Sequence, residues 1–279
     1  MASNLTNIRQ VVRQLLRDEF DVDGTLTWED DELDVHINEC LRDISLISSC
    51  RVTVPVIVTA NSKLLDISGI SDIINVRTVE YEPGEDPRSY HNFTFFDNTT
   101  LEMDVDSTPS ESGAAGTLDG TITFTSGSPA VTGSGTAFST VLEAGDYIKP
   151  SGGVRWYRVY SITSATALTL DEPVKAADTG ADTIDVTQYR SGVAVIHYDT
   201  LHTLTELEST LNPKEEQALK LGVQGGAAIS KARSLTNAIN YGGTSVPDKM
   251  QNWGLTKLQL YQQALRGLTS PRTKKSYTK

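Results

Sequence analysis

A change of texture along the chain constrains its fold more than any other feature. Residues from about 108 to 186 are rich in Gly, Ser, Thr and Ala, whereas both flanks carry long amphipathic runs. Glycine-rich sequence resists long helices, because each Gly in a helix interior costs roughly 1 kcal/mol relative to Ala. The stretch reads instead as short strands at 120–125, 130–132, 147–149, 155–162, 168–170 and 183–186, separated by Gly and Ser turns. Many short strands of this kind predict a small all-β sandwich or barrel. The segment 106–116, with its Ser, Pro and Gly, has the composition of a boundary.

The flanks follow a different period. Leu5, Ile8, Val12, Leu15 and Leu16 recur at helical spacing with Arg9, Arg13 and Arg17 between them. Asp21-Val-Asp-Gly24 is a turn, and Thr27, with Asp30 three residues later, is placed to start a second helix. That helix has an apolar face of Leu33, Ile37, Cys40 or Leu41, Ile44 and Ile47. Alternating Val52, Val54, Val56 and Val58 then predict a strand, with further strand signals at 63–67, 73–81, 93–96 and 101–105. After the β module, 192–198 alternates again. Two long helices follow, over 213–235 and 247–268. The first has Asn212 as N-cap, Pro213 at its first position and Glu215 and Glu216 in its first turn. The second has Met250, Trp253, Leu258, Tyr261, Leu265 and Leu268 on one side. The expected architecture is α+β: a helical bundle of two α-hairpins with a few strands, interrupted by an inserted small all-β sandwich or barrel. Its domains would be 1–107 with 188–279, and 108–187 as the insertion.

Charge narrows the function classes. The net charge of −12 argues against a surface that grips the phosphate backbone. The acids concentrate at 18–43, Asp18, Asp21, Asp23, Asp30 and Asp31 among them, an asymmetry that suggests head-to-tail contacts. By contrast, the terminal segment 271–279 is basic and has no acid. No apolar run reaches the roughly 20 residues that span a bilayer, and the start lacks the pattern of a secretion signal, so assembly in the cytoplasm is expected. Cys40 and Cys50 read as reduced thiols.

Sites for chemistry are sparse. The run Glu19-x-Asp21-x-Asp23-Gly24 resembles a calcium loop but begins with Glu and has Asp30 at its twelfth position, one methylene short for bidentate reach. It reads better as an acidic helix–helix link. His36, His91, His197 and His202 form no metal-binding spacing. There is no Gly-x-Ser-x-Gly elbow and no phosphate-binding loop. An enzyme, a cofactor and a metal are therefore not expected. Gly222, Gly225 and Gly226 fall inside a predicted helix. They suggest close approach of a second helix, within the fold or across a subunit interface.

The run TLTWEDDEL at 25–33, followed by Ile37, Asn38, Leu41 and Ile44, resembles the head-to-tail adaptor (connector or neck) proteins of tailed bacteriophages. The strand RVTVPV at 51–56 and the passage from Gly192 to Leu204 leading into LNPKEE at 211–216 are similar to such proteins as well. The resemblance spans about 1–105 and 190–279, and rests on the order and spacing of these motifs. The Gly- and Thr-rich module resembles β modules appended to phage neck and tail proteins. The resemblance implies a structural virion protein, repeated in a ring of roughly a dozen copies. That ring would join the portal protein to tail or neck proteins and continue the DNA channel without specific binding of DNA, with some of Asp18, Asp21, Asp23, Asp30 and Asp31 facing its lumen or a neighbouring copy. It also implies that the terminal segment, with Pro271, Arg272, Lys274, Lys275, Tyr277 and Lys279, docks on the portal. The alternatives are another neck or tail-completion protein, or a carbohydrate or host-surface binding module using Trp156, Tyr157 and Tyr160 as an aromatic platform.

Overall fold

A computed structural model describes residues 4–16, 28–83, 87–113, 115–151, 153, 155–183, 186–189, 192–238 and 245–268. It contains two compact units: 1–50 with 201–279, and 51–200.

The first unit is helical. Helices α1 (Leu5–Leu16) and α2 (Asp30–Ile47) precede the sheets, and α4 (Pro213–Ala238) and α5 (Ser245–Leu268) follow them, while the short α3 (Phe138–Val141) lies among the strands. Ile8 and Val12 of α1, Leu33, Ile37 and Ile44 of α2, and Ala218, Leu219, Val223 and Ala227 of α4 share one core, closed by Tyr261 of α5. The central helix is α4, and its sequence explains why. Gly and Ala at 222, 225, 227 and 228 leave room for neighbours on several sides, so a helix without a strongly apolar stripe is buried almost all round. Its start is a complete capping box. Asn212 Oδ1 accepts from the N–H groups of Lys214 (2.9 Å) and Glu215 (3.2 Å), and Glu215 Oε2 accepts from Asn212 N–H (2.8 Å).

The second helix departs from its expected start. It begins at Asp30 with Glu29 as N-cap and no side-chain capping bond. Trp28 instead turns inward, 5% exposed, and its Nε1–H donates to Ala227 O at 3.3 Å. Burial of the indole against α4 sets where α2 can begin.

The second unit corrects the expected fold class. It is not a helical bundle with a few strands and a small insertion. Among the described residues, fifteen strands form three sheets between Cys50 and Thr200. The strands outside the β module, which the sequence suggested were accessories to helices, have a core of their own. Strands β1 (Cys50–Ile57), β3 (Ile73–Tyr81), β4 (Tyr90–His91) and β15 (Val193–Thr200) form a four-stranded sheet in the order β1-β15-β3-β4. Strands β2 (Leu64–Asp66), β5 (Phe93–Asp97) and β6 (Thr100–Met103) form a second sheet in the order β2-β6-β5. Val58, Leu65, Ile67, Val76, Val79, Leu101, Met103, Ala194 and Ile196 pack in one cluster from both. Side chains that alternate along a strand need a facing layer, and each sheet supplies it for the other.

The remaining strands are β7 (Ala115–Thr117), β8 (Thr121–Phe124), β9 (Ala130–Ser134), β10 (Tyr147–Pro150), β11 (Tyr157–Ser164), β12 (Ala167–Leu170), β13 (Gly180–Thr183) and β14 (Val186–Tyr189). They pair in the order β13-β8-β9-β12-β11-β10-β14-β7, a nearly closed barrel. Ile122, Phe124, Val131, Phe138, Ile148, Tyr157, Val159, Leu168 and Leu170 fill its interior. The chain enters and leaves this barrel through two glycines. Gly113 N–H donates to Val58 O (3.1 Å), and Val58 N–H donates to Gly192 O (2.9 Å). A Cβ on Gly192 would lie 2.5 Å from Gly113 N, and its φ of +82° is a further reason for glycine there.

Candidate functional site

Two helices of the helical unit carry exposed apolar side chains on their outward faces. On α2, Leu33, Ile37, Cys40 and Ile44 point inward, yet Val35 (56%) and Leu46 (63%) are exposed on the opposite stripe. Asp31, Glu39 and Arg42 share that stripe and are exposed. On α5, Gly254 and Tyr261 are buried, while Trp253 (38%) and Leu260 (42%) face outward. Lys257 Nζ lies 5.2 Å from the centre of the Trp253 ring. Both helices therefore carry large apolar side chains on a face that is exposed among the described residues.

The acidic candidates divide. Asp30 and Asp31 are both exposed at the start of α2. Asp30 Oδ1 accepts from Arg13 Nη2 at 2.6 Å, and this guanidinium holds the Asp30 carboxyl below its ordinary range. Asp18, Asp21 and Asp23 lie outside the described residues, as does most of the calcium-like loop. Among the described residues there is no cluster of three or more His, Cys, Asp or Glu side chains placed to hold a metal ion. The terminal candidates Pro271, Arg272, Lys274, Lys275, Tyr277 and Lys279 also lie outside the described residues.

Gly222 and Gly226 sit where α4 meets other helices of the same unit. A Cβ at Gly222 would come within 2.5 Å of Cys40 Sγ and 3.2 Å of the Tyr261 ring, and one at Gly226 within 2.8 Å of His36 Nδ1. Gly225 lies under Leu258 and Gly254 of α5 in the same way. The contact buries Cys40, whose thiol is pushed up to about 12 by desolvation. Tyr261 O–H donates to Cys40 O at 3.2 Å, and burial moves the phenol upward as well.

Two buried polar networks escaped sequence reasoning, because their members come from distant parts of the chain. In the helical unit, His202 sits between Ser48 O (2.6 Å from Nε2), Thr210 Oγ1 (3.0 Å from Nδ1) and the Glu215 carboxylate (3.7 Å). Glu215 Oε1 also accepts from Ser48 Oγ at 2.6 Å. In the sheet unit, Thr53 Oγ1 lies 3.1 Å from His197 Nδ1, and His197 Nε2 lies 3.4 Å from Glu80 Oε2. Hydroxyl, imidazole and carboxylate stand in the order of a nucleophile, its base and an orienting acid. Arg88 Nη1 approaches the same Glu80 oxygen at 3.6 Å, and Tyr90 stacks edge-on against the imidazole at 5.9 Å. The three side chains stand on β1, β15 and β3, neighbours in one sheet, so cross-strand pairing alone brings them together.

Tyr157 and Tyr160, which the alternative reading as a binding module joins with Trp156 in one aromatic platform, do not share a face. Tyr157 is fully buried and donates its O–H to Asp178 Oδ2 at 2.8 Å, while Tyr160 is 68% exposed. They are three apart in β11 and point to opposite faces of the strand.

No helix among the described residues is long and apolar enough to cross a membrane. No protein-family model matches the sequence, and no curated protein matches it.

Proposed function

We propose that the chain is a structural virion protein of a tailed bacteriophage, a head-to-tail adaptor that forms a ring joining the portal to the tail and continuing the DNA channel. The observation that carries the reading is the pair of helices with two working faces. Each of α2 and α5 buries one face on its own unit and leaves apolar side chains such as Val35, Leu46, Trp253 and Leu260 exposed on the other. A partner would cover these side chains, and a ring supplies one to every copy. The acidic balance of the chain fits the same role. A net charge of −12 repels phosphate over a Debye length of about 8–10 Å, which suits a wall that DNA must pass. The sequence resemblance adds the position beneath the portal, with the basic segment 271–279 as the portal contact.

Co-sedimentation with portal-bearing, tailless capsids tests this. The full-length chain is expected to pellet with the capsids, and a chain ending at Ser270 to lose that binding. Binding by both would keep the adaptor and remove the terminal segment from its attachment. Binding by neither would place the protein elsewhere in the neck, or outside the head–tail junction.

A further inference from the structure

The uncovered stripes of α2 and α5 match each other. Along α2 the outward positions Asp31, Val35 and Glu39 read acid, apolar, acid at intervals of four. Along α5 the positions Lys249, Trp253 and Lys257 read base, aromatic, base at the same intervals. Residues four apart are neighbours on one side of a helix, so each triplet forms a slanting row about 12 Å long. The acidic line is exposed throughout, with the Glu39 side chain at 71%. On the basic line Lys249 and Trp253 are exposed and Lys257 is half-buried against the indole. The charges complement each other, and each line has an apolar side chain at its centre.

We propose that α2 of one copy packs parallel against α5 of the next, with Val35 on Trp253 between the pairs Asp31–Lys249 and Glu39–Lys257. The proposal rests on the ring reading above and names the interface that closes the ring. The two surfaces differ, so the contact is head-to-tail. Every copy then offers one α2 and one α5, and the contact propagates around an axis instead of ending at a dimer. A second copy is the occupant because the complement of the Asp31–Val35–Glu39 line is present on the same chain. An aromatic anchor in a charged rim is also the arrangement that protein interfaces favour.

The test is a charge exchange on portal-bearing capsids, with bound adaptor measured after sedimentation. Glu39→Lys and Lys257→Glu each place like charges opposite each other at every contact of a ring built from that variant alone. Each variant alone is expected to load at least about tenfold less than the unaltered chain. An equal mixture is expected to recover to within about twofold, because copies that alternate meet only opposite charges. Glu39 is exposed and Lys257 half-buried, and unchanged far-ultraviolet circular dichroism separates lost pairing from lost folding. Full loading by either variant alone, or no recovery in the mixture, overturns the α2–α5 pairing and leaves the ring standing. Failure of the unaltered chain to load overturns the ring reading and this interface with it.

Discussion

Asp30 opens α2, where the unpaired N–H groups of the first turn favour a negative charge, and Arg13 reaches it from α1. The guanidinium holds the carboxyl below its ordinary 3.8, so the folded state gives up its proton more readily than the unfolded chain. The sign follows directly. The pair stabilises the helical unit above the unfolded value, and its contribution is lost as pH falls through the lower, folded value. The Asp30 side chain is 58% exposed, so solvent screening limits the effect to about 0.5 kcal/mol. Urea unfolding of Asp30→Asn should show that deficit near neutral pH and none in strong acid. A deficit that persists in acid would assign the loss to helix capping and not to the ion pair. Little of this was legible from residue types alone. The acidic run was visible, but its partition into a paired Asp30 and an open Asp31 depends on where Arg13 lands. Thr27 carried the expected capping signal, yet the buried indole of Trp28 makes Glu29 the N-cap. A large side chain seeking a core overrides a local propensity worth about 1 kcal/mol.

At the scale of the element, α4 shows what a sequence can and cannot say. Its start is written locally, in Asn212, Pro213 and Glu215, and the capping box forms as the spacing predicts. Its glycines announce a close approach, but the partners are non-local: Cys40 and His36 from α2, Tyr261 and Leu258 from α5. Gly222 should therefore be intolerant of bulk. Gly222→Leu would drive a side chain into Cys40 and the Tyr261 ring, and overpacking of that kind should cost roughly 3 kcal/mol in denaturant unfolding. Gly267→Ala in α5 is the contrast, since a Cβ there meets nothing within 4 Å. It should be neutral, or stabilising by up to about 1 kcal/mol through helix propensity. Equal responses at the two sites would mean that α4 does not pack as described. The strands between Cys50 and Met103 were legible as strands, but not as two sheets sharing a core. Alternation identifies the inward face of a strand and leaves its facing layer unspecified.

At the scale of the molecule, the question is where an autonomous piece begins. Composition places the edges of the β module at 108 and 187, because that is where the Gly- and Thr-rich texture starts and stops. Packing divides the chain at 50/51 and 200/201. An edge at 187 falls inside β14, which holds β10 on one side and β7 on the other. It also removes Val193 and Val195, which bury Tyr147 and pack with Trp156. Tyr147 is 8% exposed, and its hydroxyl is pushed up to about 12 by that burial. Cutting at 51 and 200 keeps every one of these contacts. It also leaves the new ends on β1 and β15, neighbouring strands of one sheet, so the ends lie close together. Residues 51–200 made alone should unfold in a single cooperative transition with dispersed amide resonances. Residues 108–187 made alone should unfold at a lower temperature or fail to fold, since a severed β14 leaves backbone groups of β10 and β7 unpaired and the Tyr147 face is uncovered. A fragment 108–187 as stable as 51–200 would show that the barrel's own core, from Ile122 to Leu170, suffices without the flanking sheet. The boundary that composition draws would then be the thermodynamic one.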